Sequence, residues 1–217
     1  VTAHPSASQD PANAIVPYIF ALPYLDLYPT FCFVLDPGTR SPSGSSDIVG
    51  YILAVPCTKT YLARYKSTYL SSLPSSQFPR PTAPLPSSGG NEIESAGKSG
   101  PAAVAAALLG RLHAPDEALL HSASPMLLEE YPAHLHVDIL PEYQRQGWGR
   151  KLMDVLVERL REERVQGMHL LKAGDNIGSE IFYGSVGFRR YGEVMDGGVS
   201  GEKGRKKGGG VCMVQKL

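Results

Sequence analysis

The stretch Gln144-Arg145-Gln146-Gly147-Trp148-Gly149-Arg150 lies between two legible elements. Before it, Ala133-His134-Leu135-His136-Val137-Asp138-Ile139-Leu140 alternates apolar and polar residues, which predicts a strand over 133–140. After it, Leu152, Met153, Leu156 and Leu160 recur at helical spacing and predict a helix over about 149–165. A glycine turn from a strand into a helix aims backbone N–H groups outward at the positive end of the helix dipole. Such a turn favours a phosphate. Gly147 and Gly149 lack Cβ atoms and admit close backbone approach, while Gln144 and Arg150 add side-chain donors.

Outward from this centre, the pattern predicts a short helix over 13–21 limited by Pro17, and strands over 30–36 and 48–56 that pair antiparallel. A helix over 59–73 carries Tyr61, Tyr65 and Tyr69 four apart on one face, as core packing or as one wall of a substrate cleft. An Ala-rich helix covers 101–112, and a short apolar turn at 125–131 leads into the central strand. Beyond the central helix come a strand over 168–173, a helix over 177–186, a strand starting at Gly187-Phe188 and a closing strand over 211–217. Residues 74–100 are rich in Pro, Ser and Gly and read as a flexible insertion. Residues 197–210 read as a mobile Gly/Lys-rich loop whose basic cluster, Lys203 to Lys207, is solvated charge. This order is a mixed α/β sheet rather than a regular doubly wound one.

The 217 residues suit one domain spanning 1–217. Basic and acidic residues number 21 each, so no global charge points to nucleic acid or an anionic membrane. Cys32, Cys57 and Cys212 are odd in number and widely spaced, which argues against a disulfide framework and for a reducing, intracellular setting, cytoplasmic or nuclear. No apolar run approaches the roughly 20 residues of a membrane span, and no signal peptide is visible. The first residue is Val1, which suggests a fragment or a processed chain.

Two competing phosphate motifs fail. The Walker A pattern is absent, and a dinucleotide fingerprint needs a third glycine where Leu152 stands. What the loop resembles is the acetyl-CoA loop of the GNAT acetyltransferases, Gln/Arg-x-x-Gly-x-Gly/Ala, matched by Gln144, Gly147 and Gly149. Asn176, Tyr183, Gly187 and Phe188 match a second signature of that family, Asn-x6-Tyr-x3-Gly-Phe. Tyr131-Pro132-Ala133-His134-Leu135-His136-Val137-Asp138 resembles the subgroup that includes the acetyltransferase-like domain of O-GlcNAcase and its microbial relatives. Pro23-Tyr24-Leu25, Phe33-Val34-Leu35 and Val49-Gly50-Tyr51 extend that likeness toward the N-terminus.

The resemblance implies a GNAT fold of six to seven strands, with splayed strands at the acetyl-CoA site and an N-terminal strand and helix missing ahead of residue 10. It implies an N-acetyltransferase that binds acetyl-CoA and an amine acceptor, either a small molecule or a protein lysine, as a monomer or homodimer. Ile139, Leu140 and Pro141 would flank the pantetheine arm, and Gln144, Arg145, Gln146, Gly147, Trp148, Gly149 and Arg150 would hold the pyrophosphate. Tyr183 matches the family tyrosine near the CoA sulfur, where a phenol can act as acid. Asn176 would bond the pantetheine or cap the following helix.

The period of two places His134, His136 and Asp138 on one strand face, with Asp138 the first candidate for a base and His136 behind it. The same three residues admit a packed structural role. They also admit a zinc reading, which lacks a motif for a fourth ligand, so no metal is expected. Many family members carry a Glu earlier on this strand, where this chain has Ala133 and Leu135, and that opens the alternative of a catalytically weak acetyl-CoA-binding module.

Overall fold

The computed structural model describes residues 11–38, 47–81, 100–115, 125–173, 176–192 and 210–217. Most of the expected insertion at 74–100 and of the Gly/Lys-rich loop at 197–210 lies outside the described residues. Helices α1 (Pro11–Phe20) and α2 (Leu22–Leu27) precede a hairpin of β1 (Cys32–Leu35) and β2 (Gly50–Val55). Helix α3 starts as Thr58–Arg64, widens into a π turn at Tyr65–Tyr69 and ends at Leu70–Ser72. Then come α4 (Pro101–His113), α5 (Pro125–Glu130), β3 (Ala133–Ile139), α6 (Trp148–Glu162), β4 (Gly167–Ala173), α7 (Ile177–Ser185), β5 (Arg189–Arg190) and β6 (Gly210–Lys216).

One six-stranded sheet runs in the order β1-β2-β3-β4-β6-β5. Every neighbouring pair is antiparallel except β3 and β4, which are parallel. A parallel pair needs a crossover, and α6 supplies it. Alternation along β3 sorts its side chains between two layers. Ala133 and Leu135 lie in a core with Leu152, Met153, Leu156 and Leu160 of α6 and with Met168 and Leu170 of β4. The opposite face meets a second core built from α1 to α4, including Ile19, Tyr24, Tyr61, Tyr65 and Leu112.

The tyrosine stripe of α3 belongs to that second core. Tyr61, Tyr65 and Tyr69 are buried, with Tyr65 Oη donating to the Leu112 carbonyl and Tyr69 Oη to the Tyr18 carbonyl. They are therefore packing residues and not a cleft wall. Four-residue spacing drifts around a helix of 3.6 residues per turn, and the wider i→i+5 turn at Tyr65–Tyr69 counteracts that drift. Helix α1 runs through Pro17 and ends at Phe20.

His134 ties the N-terminal layer to the sheet. Its Nδ1 lies 2.7 Å from Thr58 Oγ1, its Nε2 lies 2.8 Å from Tyr24 Oη, and Thr58 Oγ1 donates to the Pro132 carbonyl at 2.8 Å. A carbonyl only accepts, so the Thr58 proton points to Pro132. Thr58 then accepts from His134 Nδ1–H, which leaves Nε2 to accept from Tyr24. Both ring nitrogens of this buried histidine are committed to the fold, which explains its place on the strand without a metal.

Removing one member of such a chain strands the next. Thr58→Val leaves His134 Nδ1–H without its acceptor, and the expected loss is about 1–3 kcal/mol of unfolding free energy, read from urea melts. An unchanged midpoint would contradict the chain.

Candidate active site

Strands β3 and β4 pair only through Ala133↔Met168 and His134↔His169. Beyond those two pairs they part, although β3 continues to Ile139 and β4 to Ala173. Leu140 N–H donates to the Val49 carbonyl at 2.8 Å, which sets the phase of the β2–β3 ladder. Residues 134, 136 and 138 turn their main-chain groups to β2, and Leu135, Val137 and Ile139 turn theirs toward β4. Where β4 has moved away, the main chain of Val137 and Ile139 faces the gap. Leu140 directs its own N–H elsewhere, to Val49.

The loop beyond the gap turns on two left-handed residues, Arg145 at φ 60° and Gly147 at φ 85°. Gly147 is the N-cap of the 15-residue helix α6 and offers no side chain to cap it. The first amides of α6, at Trp148, Gly149 and Arg150, therefore point out of the helix end. Three side chains brace the loop itself. Gln144 Nε2 donates to the Ile139 carbonyl and Gln146 Nε2 to the Glu142 carbonyl, each at 2.7 Å. Arg150 Nη2 reaches the Ser185 carbonyl at 2.8 Å. Lys151 lies over the Trp148 ring, with Nζ 4.2 Å from its centroid.

Gly147 and Gly149 serve different needs. A Cβ on Gly147 would meet nothing within 4 Å, so its glycine answers to the positive φ. A Cβ on Gly149 would stand 3.0 Å from two ring carbons of Phe182, so its glycine answers to the packing of α6 on α7.

Helix α7 is set by its first turn. Asn176 Oδ1 accepts from Ser179 N–H at 3.0 Å, so Asn176 caps this helix. Its carbonyl accepts from Lys172 Nζ at 3.1 Å. Lys172 is buried, and its ammonium lies 3.3 Å from Glu180 Oε2. Arg190 grips the same carboxylate through both of its oxygens, with Nη2 to Oε2 at 2.9 Å. The Arg190 hydrogen bonds, aided by Lys172, hold the Glu180 carboxyl down at about 2. This network, which the sequence did not announce, sits one turn ahead of Tyr183 and fixes the rotation of α7.

Tyr183 packs on Phe182 and Phe188 and borders the α6 core. Burial pushes its hydroxyl up to about 12, and the Asp138 carboxylate adds to the rise, which places the two groups within electrostatic reach of one another. Asp138 Oδ2 accepts from Tyr51 Oη at 2.8 Å. His136 lies beneath the rings of Tyr24 and Phe20, with centroids at 5.2 and 5.8 Å, and burial pulls it down to about 4, so it is neutral near pH 7. The fold thus packs the glycine loop on Phe182 of α7, brings Tyr183 within electrostatic reach of Asp138, buries His134 and leaves His136 half-buried. Tyr51 was not anticipated, since cross-strand register cannot be read from β2 alone.

Residues 118–190 match the family described as the acetyltransferase (GNAT) domain. The crystal structure of SsHAT is similar over 94% of this chain and 81% of its own, at 27% identity and a TM-score of 0.67. The fold is the GNAT fold. The domain match and the SsHAT likeness support an acyltransferase. Two other solved structures are more distant. The ribosomal-protein-alanine N-acetyltransferase from Brucella melitensis aligns over 39% of this chain and 51% of its own, at 25% identity and a TM-score of 0.32. The PaiA N-acetyltransferase from Thermoplasma acidophilum, in complex with coenzyme A, aligns over 39% and 46%, at 17% identity and a TM-score of 0.32. TM-scores this low carry no argument for the present chain.

Two outcomes follow from the α6–α7 corner. Gly149→Ala forces the Phe182 ring aside and is expected to cost about 1–3 kcal/mol in a denaturant melt. Glu180 is held below its ordinary 4.5, so its contribution is complete above that value and is lost as pH falls toward about 2. Glu180→Gln is therefore expected to flatten the melting temperature against pH between those limits. An unchanged slope would show that the network does not stabilise the folded state.

Proposed function

We propose that this chain is an acetyl-CoA-dependent N-acetyltransferase that moves an acetyl group to a primary amine by direct transfer in a ternary complex. The observation that carries this reading is the parting of β3 from β4 immediately ahead of the α6 N-terminus. An extended, amide-bearing chain can enter as a missing strand against Val137 and Ile139, while an anion rests on the amides from Arg145 to Arg150. That donor set fits a pantetheine arm joined to a pyrophosphate, with Ile139 and Leu140 beside the arm and Gln144, Gln146, Gly147, Trp148 and Gly149 in the cradle. Asn176 adds a side-chain amide at the mouth. Acetyl-CoA, when bound, supplies the acetyl group as a thioester.

Tyr183 is the acid in this reading. Its hydroxyl, raised to about 12, keeps its proton through the neutral range and donates it to the leaving sulfur. Asp138 is the base or the ammonium ligand for the acceptor. It stands at the open end of its strand face, where the Val34 side chain beyond Tyr51 is 58% exposed. His136 lies deeper and is drawn down to about 4, so it holds a proton less readily than an amine acceptor requires. The acceptor is a small amine or a protein lysine, and no nucleic acid or membrane takes part. Among the described residues no helix is long and apolar enough to cross a membrane. The motif at Tyr131–Asp138 supports placement with the O-GlcNAcase-like acetyltransferase domains, and the cysteine usage supports an intracellular site, cytoplasmic or nuclear.

A second reading, an acetyl-CoA-binding module with little activity, is favoured by one observation. Ala133 and Leu135, where relatives carry a Glu, are packed into the core against α6. Isothermal titration with acetyl-CoA tests both readings at once, since absence of binding removes both. Thiol release over a panel of amines, polyamines, aminosugars and lysine peptides then separates them, because binding without turnover selects the module. Tyr183→Phe is expected to lower turnover about 100-fold with acetyl-CoA affinity little changed, and equal turnover would remove its role as acid.

A further inference from the structure

Tyr51 and Asp138 face each other directly across the β2–β3 register, and Tyr51 Oη donates to Asp138 Oδ2 at 2.8 Å. The pair lies on the sheet face that carries His134 and His136, but at its outer end. One row inward, Leu53 faces His136, and that row is roofed by the rings of Tyr24 and Phe20. In the outer row Tyr51 stands between Asp138 and the largely exposed Val34. The half-buried hydroxyl–carboxylate pair therefore marks the boundary between the packed core and the exposed end of this face.

We propose that Tyr51 is a positioning residue of the transfer reaction, holding the Asp138 carboxylate in the orientation from which it meets the acceptor amine. The proposal rests on the acetyltransferase reading and on the role given there to Asp138. A half-buried carboxylate on a strand end has rotamers to choose from, and one strong donor selects among them. Tyr51 is suited to that task, because burial and the neighbouring Asp138 charge keep its hydroxyl protonated at every working pH. It remains a donor whatever passes through the site. Fold stability alone does not ask for the pair, since two apolar residues of similar shape at facing strand positions stabilise a sheet about as well. The described residues also place His134 and His136 of β3 and Cys32 of β1 on this face, with Tyr24, Tyr28 and Tyr61 packed against it, while Tyr183 of α7 is within electrostatic reach of Asp138.

Removing the hydroxyl frees the Asp138 carboxylate to turn away from the acceptor, so the loss falls on the amine and not on the cofactor. In Tyr51→Phe, KM for the best amine of the panel is expected to rise about tenfold, with kcat lowered less and the acetyl-CoA affinity unchanged. A purely structural tyrosine would lower the melting temperature without separating KM from kcat. Site-specific 3-fluorotyrosine at position 51 keeps the shape and strengthens the donor, so KM should stay at or below the parent value, and a rise there overturns the proposal even if Tyr51→Phe folds poorly. If no amine is turned over, calorimetric affinity for the same amines in the presence of coenzyme A replaces KM as the readout. An amine KM or affinity that Tyr51→Phe leaves unchanged overturns the proposal. Asp138→Asn with full turnover and an unaltered pH profile removes the role of Asp138 itself, which separates failure of the base reading from failure of the Tyr51 proposal.

Discussion

The site depends on a parallel strand pair that stops pairing early. Strand β3 is held along its length by β2, and β4 by β6, so each keeps a full antiparallel ladder on its far side. The sheet therefore tolerates a wedge between them without coming apart. The wedge costs ladder hydrogen bonds at Val137, Ile139 and their opposites on β4, and the Ile139 carbonyl is met instead by Gln144 Nε2. Sheet edges are ordinarily a hazard, because their unpaired groups recruit other chains. Here an edge is opened inside the sheet, between two strands that are each paired on their far side.

Burial divides the chemistry of the gap between its two sides. On the α7 side, a packed aromatic corner keeps Tyr183 protonated. On the β3 side, polarity falls off inward. Asp138 stands at the rim with a phenol donor, His136 lies under two rings in its neutral form, and His134 is wholly consumed by Thr58 and Tyr24. Three polar residues with the same strand phase thus meet three different environments. The layer of α1 to α3 above them decides this. It buries His134 and leaves His136 and Asp138 half-buried.

Much of this was legible in the residues. The loop from Gln144 to Arg150, the strand before it and the amphipathic helix after it all lie where their periodicity placed them, because one side of each faces a core. Asn176 caps its helix, one of the two roles open to it. The tyrosines of α3 could be assigned to one face, but their function could not. Spacing says that residues share a side and is silent on what covers that side. Tyr51 and the Lys172–Glu180–Arg190 network escaped for another reason. Both join elements far apart in the chain through sheet register and a helix corner, and no local pattern records such a meeting. Gly149 was assigned to ligand approach, whereas its nearest constraint is the Phe182 ring.

That last contact has a consequence for how the protein can change over time. Position 149 and the ring at position 182 draw on one shared volume, and Arg150 bonds the Ser185 carbonyl across the same pair of helices. A side chain that grows at position 149 requires the ring at position 182 to give way. Substitutions at the anion loop and at the helix bearing Tyr183 are therefore heritable as a pair. Homologues that replace the second glycine of the loop by alanine should carry a smaller or differently turned residue at the position of Phe182.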